Sequence, residues 1–472
     1  MSDSENRLVV VSNRLPVKLE PREDEWAVQP GSGGLVTALE PILDQRGGLW
    51  IGWPGTSEKA DIQKPLESYC AKKAYDLQPV MLSSEEVDNY YYGFSNEVLW
   101  PLFHDFHSRC KFKQEYWDVY QKVNNKFAQQ ISQACKEDDT IWVHDYHLLC
   151  VAQKLKELGL HQKCGFLLHS PFPSPDIFCK LPWRFEILKS LTEYDLLGLQ
   201  TWHDVQNFLI CLERLDFNFN IQENKQIASL ELSNKQIKVG AFPISIDFDH
   251  FANYPAAEEE QHLISNLYNP GQNGQIMLGV DRLDYSKGIP SRFEAVHTAL
   301  SKYPDLKGKL SLIQIVVPSR EHIPEYQQLK EEIERLVGEI NGEFTTPDWL
   351  PIYYLYTHLP RQELLAYYRA ADIALITPLR DGMNLVAKEY CAAQREENGV
   401  LILSEFAGTA AELSENALLV NPYDILQTAD AIHHAFYMQT GERQTRMKFL
   451  RKTIKEKDIH HWVSSFLSAL HA

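Results

Sequence analysis

The sequence holds no apolar run near the roughly 20 residues that a bilayer-spanning helix requires, and Met1 to Arg7 is polar and mixed in charge, without an apolar signal core. These absences predict a soluble protein of the cytoplasm with no membrane partner. The 8 cysteines, Cys70, Cys110, Cys135, Cys150, Cys164, Cys179, Cys211 and Cys391, are scattered singly with no C-x-x-C pair, which argues against a disulfide framework and against a zinc pattern. They read as reduced core residues. Positive charge is also in deficit: 46 Lys and Arg against 64 Asp and Glu give a formal net charge of −18, which repels nucleic acid and anionic membrane surfaces at long range. Any phosphorylated ligand needs a local basic cluster working against that field. No internal repeat or low-complexity segment is present, and 44% hydrophobic with 23% charged residues excludes disorder and fibrous architectures.

What is there is an alternation. Short apolar, β-branched runs (Leu8–Ser12, Thr140–Val143, Gly165–Leu168, Leu196–Leu199, Ile276–Val280, Leu310–Val316, Ile352–Leu355, Ile373–Thr377 and Val400–Leu403) alternate with longer amphipathic segments, the pattern of βαβ units with a parallel sheet. Leu385 to Gln394 and Glu325 to Ile340 have helical composition, the second with Leu329, Ile333, Leu336 and Ile340 at spacings of three and four. Ala252 to Gln275 breaks the rhythm with turn-rich polar sequence around one short helix. A length of 472 residues suits two or three domains, and a boundary near Ser245 divides it into 1–245 and 246–457. The expected fold is therefore α/β, two doubly wound halves with ligands in a cleft at the carboxyl ends of the strands, a geometry that predicts domain closure on binding.

In the first half, Arg14 ends the strand of Leu8-Val-Val-Val-Ser-Asn-Arg-Leu-Pro-Val17, where a guanidinium could fork onto a phosphate; position alone leaves a surface arginine equally open. Pro30-Gly-Ser-Gly-Gly-Leu35 is a glycine loop opening a helix, suited to close approach of a phosphate or sugar, or a plain turn. It lacks the third glycine of G-x-G-x-x-G and an acidic partner about 20 residues on, which weighs against a nicotinamide site. The aromatic run Tyr90 to Trp100 could stack on a sugar face; taken by itself it reads better as core. Trp142-Val-His-Asp-Tyr-His147 and Gly165-Phe-Leu-Leu-His169 each follow a strand. Their histidines with Asp145 lack metal-ligand spacing, and Asp247-Phe-Asp249 is too short a match to carry a metal site. No metal is expected.

The second half is richer. Gly279-Val-Asp-Arg-Leu-Asp-Tyr-Ser-Lys-Gly288 puts Arg282 and Lys287 in one loop after a strand, where two cations would neutralise a departing diphosphate. A salt-bridged turn with Asp281 and Asp284 is the competing reading. Val317-Pro-Ser-Arg320 repeats the pattern of strand followed by arginine. Thr377-Pro-Leu-Arg-Asp-Gly-Met-Asn-Leu-Val-Ala-Lys-Glu389 joins a strand to a helix, so that N–H groups near Leu385 and Val386 could hold phosphate oxygens. Glu389, one turn on, lies about where a ribose diol would reach.

The segments SNRLPV, GSGGL, YYGFSN-x-x-LWP, WVHDYHL, LLHSPFPSPDIF, RLDYSKGIP, TPLRDGMNLVAKEY and NPYD occur in the order found in the trehalose-6-phosphate synthases, retaining glycosyltransferases of the GT-B architecture, and the chain resembles that family from Leu8 through Tyr423. The resemblance implies that Arg14, Tyr91, Asp145 and Arg320 bind glucose 6-phosphate, with Trp100 nearby. It places Gly33 and Gly34 against a nucleotide-sugar donor, Arg282 and Lys287 on its diphosphate and the backbone around Leu359 on its base. The run Asp381, Gly382, Met383, Asn384, Leu385, Val386, Ala387, Lys388 and Glu389 would line the donor's phosphates, ribose and glucose. His169, Arg282, Lys287 and Asp381 would be the catalytic set, and residues 458–472 would cross back onto the first domain. Leu359 stands where some members carry an aromatic residue, and Ser170 and Ser174 stand where threonines are common.

By the same resemblance, the activity is transfer of glucose, most simply from UDP-glucose, to glucose 6-phosphate with retention and without a cofactor. Retention usually employs a carboxylate nucleophile, and the motifs show no carboxylate pair. A front-face reaction in which the leaving diphosphate takes the acceptor's proton instead needs phosphate stabilisation and positioning. Rival readings keep the donor and change the acceptor, giving a glucosylglycerol-phosphate synthase or a pseudo-glycosyltransferase on a cyclitol, or make the chain a non-catalytic glucose 6-phosphate sensor. UDP, ADP or GDP, and a monomer or a homo-oligomer, remain open on sequence.

Overall fold

A computed structural model describes residues 6–21, 26–31, 33–56, 61–223, 226–232, 235–255, 274–320 and 323–472. The short helix expected between Ala252 and Gln275 falls largely on 256–273, outside the described residues. The chain divides into two compact units, Met1–Ile244 with His460–Ala472, and Ser245–Ile459.

The first unit is built on β1 (Leu8–Arg14), β4 (Gly48–Trp53), β5 (Tyr75–Pro79), β6 (Thr140–His144), β7 (Cys164–Leu167), β8 (Leu196–Leu199), β9 (Phe219–Glu223), β10 (Ile227–Leu232) and β11 (Lys235–Ala241), in the order β5-β4-β1-β6-β7-β8-β11-β10-β9. The pairs from β5 through β11 are parallel, and β10 and β9 add an antiparallel edge. A separate hairpin joins β2 (Val17–Pro21) and β3 (Trp26–Pro30). The sequence reading passed over β4 and β5, because Gly48-Leu-Trp-Ile-Gly-Trp53 mixes glycine and tryptophan where β-branched residues were sought. β4 is nonetheless buried from Leu49 to Trp53.

One face of this sheet is sealed by the helix Ile459–His471. Phe466 stacks on Trp142 at 4.4 Å between centroids, and Trp462 Nε1 donates to the Phe242 carbonyl at 3.1 Å. The sheet is shaved to receive it: a Cβ at Gly165 or Gly198 would come within 2.7 or 2.8 Å of the Phe466 ring. Glycine weakens a strand, and here the close approach of a buried phenylalanine offsets that cost.

The second unit has β12 (Gln275–Arg282), β13 (Leu310–Val317), β14 (Ile352–Tyr356), β15 (Ile373–Ile376), β16 (Val400–Ser404) and β17 (Leu418–Val420), all parallel in the order β14-β13-β12-β15-β16-β17. In both sheets the first strand lies between the second-added strand on one side and a later strand on the other. That reversal opens a crevice at the carboxyl ends of β1 and β6, and of β12 and β15. The helix Pro324–Phe344 buries Tyr326, Leu329, Ile333 and Ile340, the face its spacing predicted apart from half-buried Leu336.

All eight cysteines are free, but only Cys150, Cys164, Cys211 and Cys391 are buried; the other four are half-buried rather than core. Among the described residues no helix is long and apolar enough to cross a membrane. Phe466→Ala should lower the unfolding free energy by about 3–5 kcal/mol, read as a shifted denaturant midpoint, because the ring is wholly buried.

Candidate active site

In the first unit the polar triplet that ends β1 is itself a fixture. Trp50 Nε1 donates to Ser12 Oγ at 2.8 Å, Ser12 Oγ donates to the Arg14 carbonyl at 2.7 Å, and the Tyr90 hydroxyl donates to Asn13 Oδ1 at 3.0 Å. These bonds accompany an irregular register between Val11 and Arg14, which re-aims the chain at the switch point. Arg14 is the one residue of β1 open to solvent. Its Cζ sits 4.6 Å above the Trp53 ring, and desolvation draws its pKa below the ordinary arginine value against the pull of Tyr91 and Tyr92.

Tyr91 lies 5.9 Å from Trp53 and stacks on His147 at 5.9 Å with the planes 11° apart. His147 Nδ1 is 4.0 Å from Asp145 Oδ2, and Asp145 Oδ1 accepts from the His169 backbone N–H at 3.3 Å. Arg14, Tyr91, Asp145 and His169 are thus brought round one crevice. Trp53 and His147 bridge them; the sequence motifs give Trp53 no role and set His147 beside Asp145 only in the discounted metal reading. Trp100 stands behind this group, 7% exposed, its ring 3.9 Å from His104 and 5.6 Å from Tyr146. Most of its aromatic run is core, as the residues alone suggested, with Tyr91 and Tyr92 half-buried exceptions. Gly33 caps the helix Gly34–Arg46 at φ 122, without a side-chain hydrogen bond.

His169 and His144 are buried together, His144 Nδ1 lying 3.1 Å from His169 Nε2. Burial pushes the His169 imidazole down to about 3, and burial with the His169 neighbour pushes His144 well below 6.5. Both rings are neutral at physiological pH.

In the second unit Lys287 and Asp381 meet at 2.6 Å, with side chains 11% and 9% exposed. Asp381 also accepts from Asn384 Nδ2 at 3.2 Å and from the Met383 N–H at 3.3 Å, so its carboxylate lies over the start of the helix Leu385–Ala393. Asn384, at φ 64, caps that helix by accepting from the Ala387 N–H at 3.2 Å. Of the run expected on the donor, then, Ala387 has its N–H committed. The Lys388 side chain is committed as well, turned into a buried ion pair with Glu412 at 2.6 Å. Lys388 therefore reaches no ligand through its ammonium, and the helix start offers the N–H groups of Leu385 and Val386. Glu389 accepts from the Tyr368 hydroxyl at 2.8 Å; burial raises its carboxyl above the usual range, opposed by Tyr368 and Arg361. Leu359 follows β14, half-buried. Gly382 is buried and Met383 half-buried beside Asp381.

Arg320 belongs to this unit, following β13, and does not join the Arg14 group within the first unit. At φ 52 it lies in a region that arginine rarely adopts, with Nη1 3.3 Å from Asp284 Oδ2 and bonded to the Tyr326 hydroxyl. Tyr326 donates to the same carboxylate at 3.2 Å. Arg282, exposed at the end of β12, pairs in register with Val317 of β13. Lys287 takes its carboxylate from outside the turn, in Asp381. Asp281 bonds instead to wholly buried Arg292, which reaches Gln314 at 2.9 Å, Thr377 Oγ1 at 3.0 Å and the Lys287 carbonyl at 3.4 Å. Arg292 so ties β12, β13 and the residue after β15 to the Lys287 loop. Gly288 closes that loop at φ 64, where a Cβ would also come within 2.8 Å of the Thr377 carbonyl.

Asp247 caps the helix Phe248–Ala252 by accepting from the His250 N–H at 3.0 Å, which accounts for the Asp247-Phe-Asp249 pattern. Among the described residues no group of three His, Cys, Asp or Glu side chains converges to hold a metal ion.

Two doubly wound sheets, each with charged and polar side chains gathered at its own switch point, are the architecture of the GT-B class. Residues 6–472 match the sequence profile of Glycosyltransferase family 20, and the chain belongs to that family as a hexosyltransferase. It is 42% identical to the trehalose-6-phosphate synthase of Mycolicibacterium vanbaalenii over 98% of this chain and 95% of that one. An alpha,alpha-trehalose-phosphate synthase (UDP-forming) from Burkholderia xenovorans, solved in complex with glucose-6-phosphate, superposes with a TM-score of 0.89 at 34% identity, covering 99% and 100% of the two chains. A trehalose-6-phosphate protein from E. coli bound with UDP-2-fluoro glucose gives 0.87 at 39% identity, covering 98% and 99%.

Two outcomes test this geometry. Below about pH 6.5 the unfolded chain takes up protons that buried His144 and His169 refuse, so stability present above 6.5 is lost as pH falls toward 3. Denaturant midpoints between pH 7 and 4 should fall in the native chain and fall less steeply when both histidines are replaced by Asn. Arg292→Met, which strands a buried Asp281 carboxylate, should cost about 3–5 kcal/mol. Adding Asp281→Asn should recover much of it in the same unfolding assay.

Proposed function

We propose that the chain transfers glucose from UDP-glucose to glucose 6-phosphate, forming α,α-trehalose 6-phosphate with retention at the anomeric carbon. The observation that carries this reading is the second unit's switch point. There the N–H groups of Leu385 and Val386 lie beside the Lys287 and Asp381 pair, a donor-rich, partly dry place for a diphosphate. Arg282 and Lys287 neutralise the leaving group, and Glu389, held by Tyr368, takes the ribose diol. In the first unit Arg14 forks onto the acceptor's phosphate while Tyr91 and Asp145 hold its sugar. Arg320 is assigned to the same acceptor. The ligands of the Burkholderia and E. coli relatives, glucose-6-phosphate and UDP-2-fluoro glucose, are this scheme's acceptor and a fluorinated analogue of its donor.

The carboxylates at hand favour a front-face course. Asp381 is engaged by Lys287 and Asn384, Asp281 by Arg292, and Asp284 by Arg320 and Tyr326, while Asp145 accepts from the His169 N–H and Glu389 from the Tyr368 hydroxyl, so each carboxylate already has a partner. The acceptor hydroxyl then attacks on the face the diphosphate leaves, and a diphosphate oxygen takes its proton. Arginine and lysine supply the positive charge, so the reaction in this reading runs without a resident metal or other cofactor, on small-molecule substrates in the cytoplasm.

Incubation with UDP-, ADP- and GDP-glucose at constant glucose 6-phosphate should give a non-reducing disaccharide phosphate, fastest with UDP-glucose and unchanged by a chelator. Turnover only with glycerol 3-phosphate or a cyclitol would overturn the acceptor, and binding of glucose 6-phosphate without turnover would make the chain a sensor. Arg282→Ala should lower kcat/KM by roughly 100-fold or more with an unchanged circular dichroism spectrum; native activity in that variant removes the diphosphate role.

A further inference from the structure

We infer that Gly408 sets the position of the loop before the helix Leu385–Ala393, and is thereby a positioning residue for the donor's diphosphate. This deepens the reading above, on which it rests, that the N–H groups of Leu385 and Val386 take the donor's phosphates. Gly408 stands between the end of β16 and the helix Ala410–Leu413. Phe406 to Thr409 runs alongside Asp381 to Met383 as a short parallel ladder, bridged at Asp381 and Ala407. The Asp381 N–H donates to the Phe406 carbonyl at 3.2 Å, the Gly408 N–H to the Asp381 carbonyl at 2.9 Å and the Thr409 N–H to the Met383 carbonyl at 3.1 Å.

The close approach is what requires glycine here. The φ of Gly408 lies outside the left-handed region, so the turn itself would accept other residues. A side chain is excluded by the facing segment: a Cβ on 408 would run into the Gly382 carbonyl oxygen, 2.6 Å from its carbon and 3.3 Å from the Met383 nitrogen. A carbon and a carbonyl oxygen settle about 3.3–3.6 Å apart, so with a Cβ present one of the two segments has to give by roughly 1 Å. The Phe406 N–H donates to Ser404 Oγ at 3.1 Å and the Glu405 N–H to the Val420 carbonyl of β17 at 3.0 Å. These bonds hold the Gly408 segment to its sheet and direct the displacement to Gly382.

A shift at Gly382 does not stay there. Asp381 accepts from the Met383 N–H and from Asn384 Nδ2, and Asn384 caps the helix through the Ala387 N–H, so the helix start moves with the loop. Backbone donors cannot re-aim by changing rotamer, and a phosphate held by them depends on where the chain itself lies. One turn further on, the buried pair of Lys388 and Glu412, 2.6 Å apart, fastens the same helix to Ala410–Leu413. Gly408 and this ion pair thus act on one contact, and the Lys388 ammonium has its task there.

Calorimetric titration of the full chain with UDP, and initial rates with UDP-glucose and glucose 6-phosphate, test this. Gly408→Ala should weaken UDP binding and raise the KM for UDP-glucose roughly 10- to 100-fold with the KM for glucose 6-phosphate unchanged, a split that a general loss of structure does not produce. Native UDP affinity in the folded variant, or equal losses for both substrates, overturns the inference. If Gly408→Ala does not fold, the joint variant Lys388→Met with Glu412→Leu decides. It keeps the glycine, and replacing both members of a buried pair by apolar residues leaves stability near native. The loosened helix should bind UDP several-fold more weakly at an unchanged denaturant midpoint, and native affinity there overturns the inference as well. A native chain that binds no UDP fails the functional reading instead, and that failure is seen before any variant is made.

Discussion

Everything chemical in this chain hangs on one topological constraint, the reversal of strand order around the first strand of each sheet. From β1 the chain moves outward to β4 and β5 and then returns to β6 on β1's other side; from β12 it moves to β13 and β14 and returns to β15. Loops leaving adjacent strands in opposite directions cannot cover the gap between them. Arg14 with Asp145 border one such gap, and Arg282 and Lys287 with Asp381 border the other. The fold decides where reactive side chains stand, and the loop sequences decide what they recognise.

A chain of net charge −18 gathers cations there by giving each an anionic neighbour, and the neighbours fall into two kinds. Arg292 with Asp281 and Lys388 with Glu412 are buried on both sides; such pairs contribute little net stability but enforce geometry, since losing either partner strands a charge. Lys287 with Asp381 and Arg320 with Asp284 are largely buried too, but stand in the loops that follow β12, β13 and β15. The excess of acid is in part the set of carboxylates that holds the cations in place.

The sequence disclosed elements whose reasons are local. Buried strands such as Leu310–Val317 and the amphipathic helix 324–344 follow from apolar runs and spacing, and Ile373 to Glu389 betrays a strand, a loop and a helix start in seventeen letters. What stayed hidden is what depends on distant partners. Lys287 and Asp381 are 94 positions apart, and nothing in either segment announces the other. Lys388 belongs to a ligand-binding motif by its neighbours, yet its ammonium answers to Glu412. Arg292 lies on a helix, and helical spacing cannot show that its side chain meets β12, β13 and the residue after β15. Trp53 and His147 are buried, and only their ring contacts with Tyr91 join them to the site.

The helix Ile459–His471 has a consequence for the order in which the chain acquires structure. Phe242 and Trp462 are bonded across 220 positions, and Thr140 and His471 across 331. During vectorial synthesis the first sheet is made early, with Trp142, Gly165 and Gly198 presenting a hollow that nothing yet fills, while the whole second unit is still being added. The first unit therefore waits, with an apolar groove uncovered, until the polypeptide returns. In that interval it lacks the packing of Trp462 and Phe466, and the last step of its maturation is a long-range closure rather than a local one.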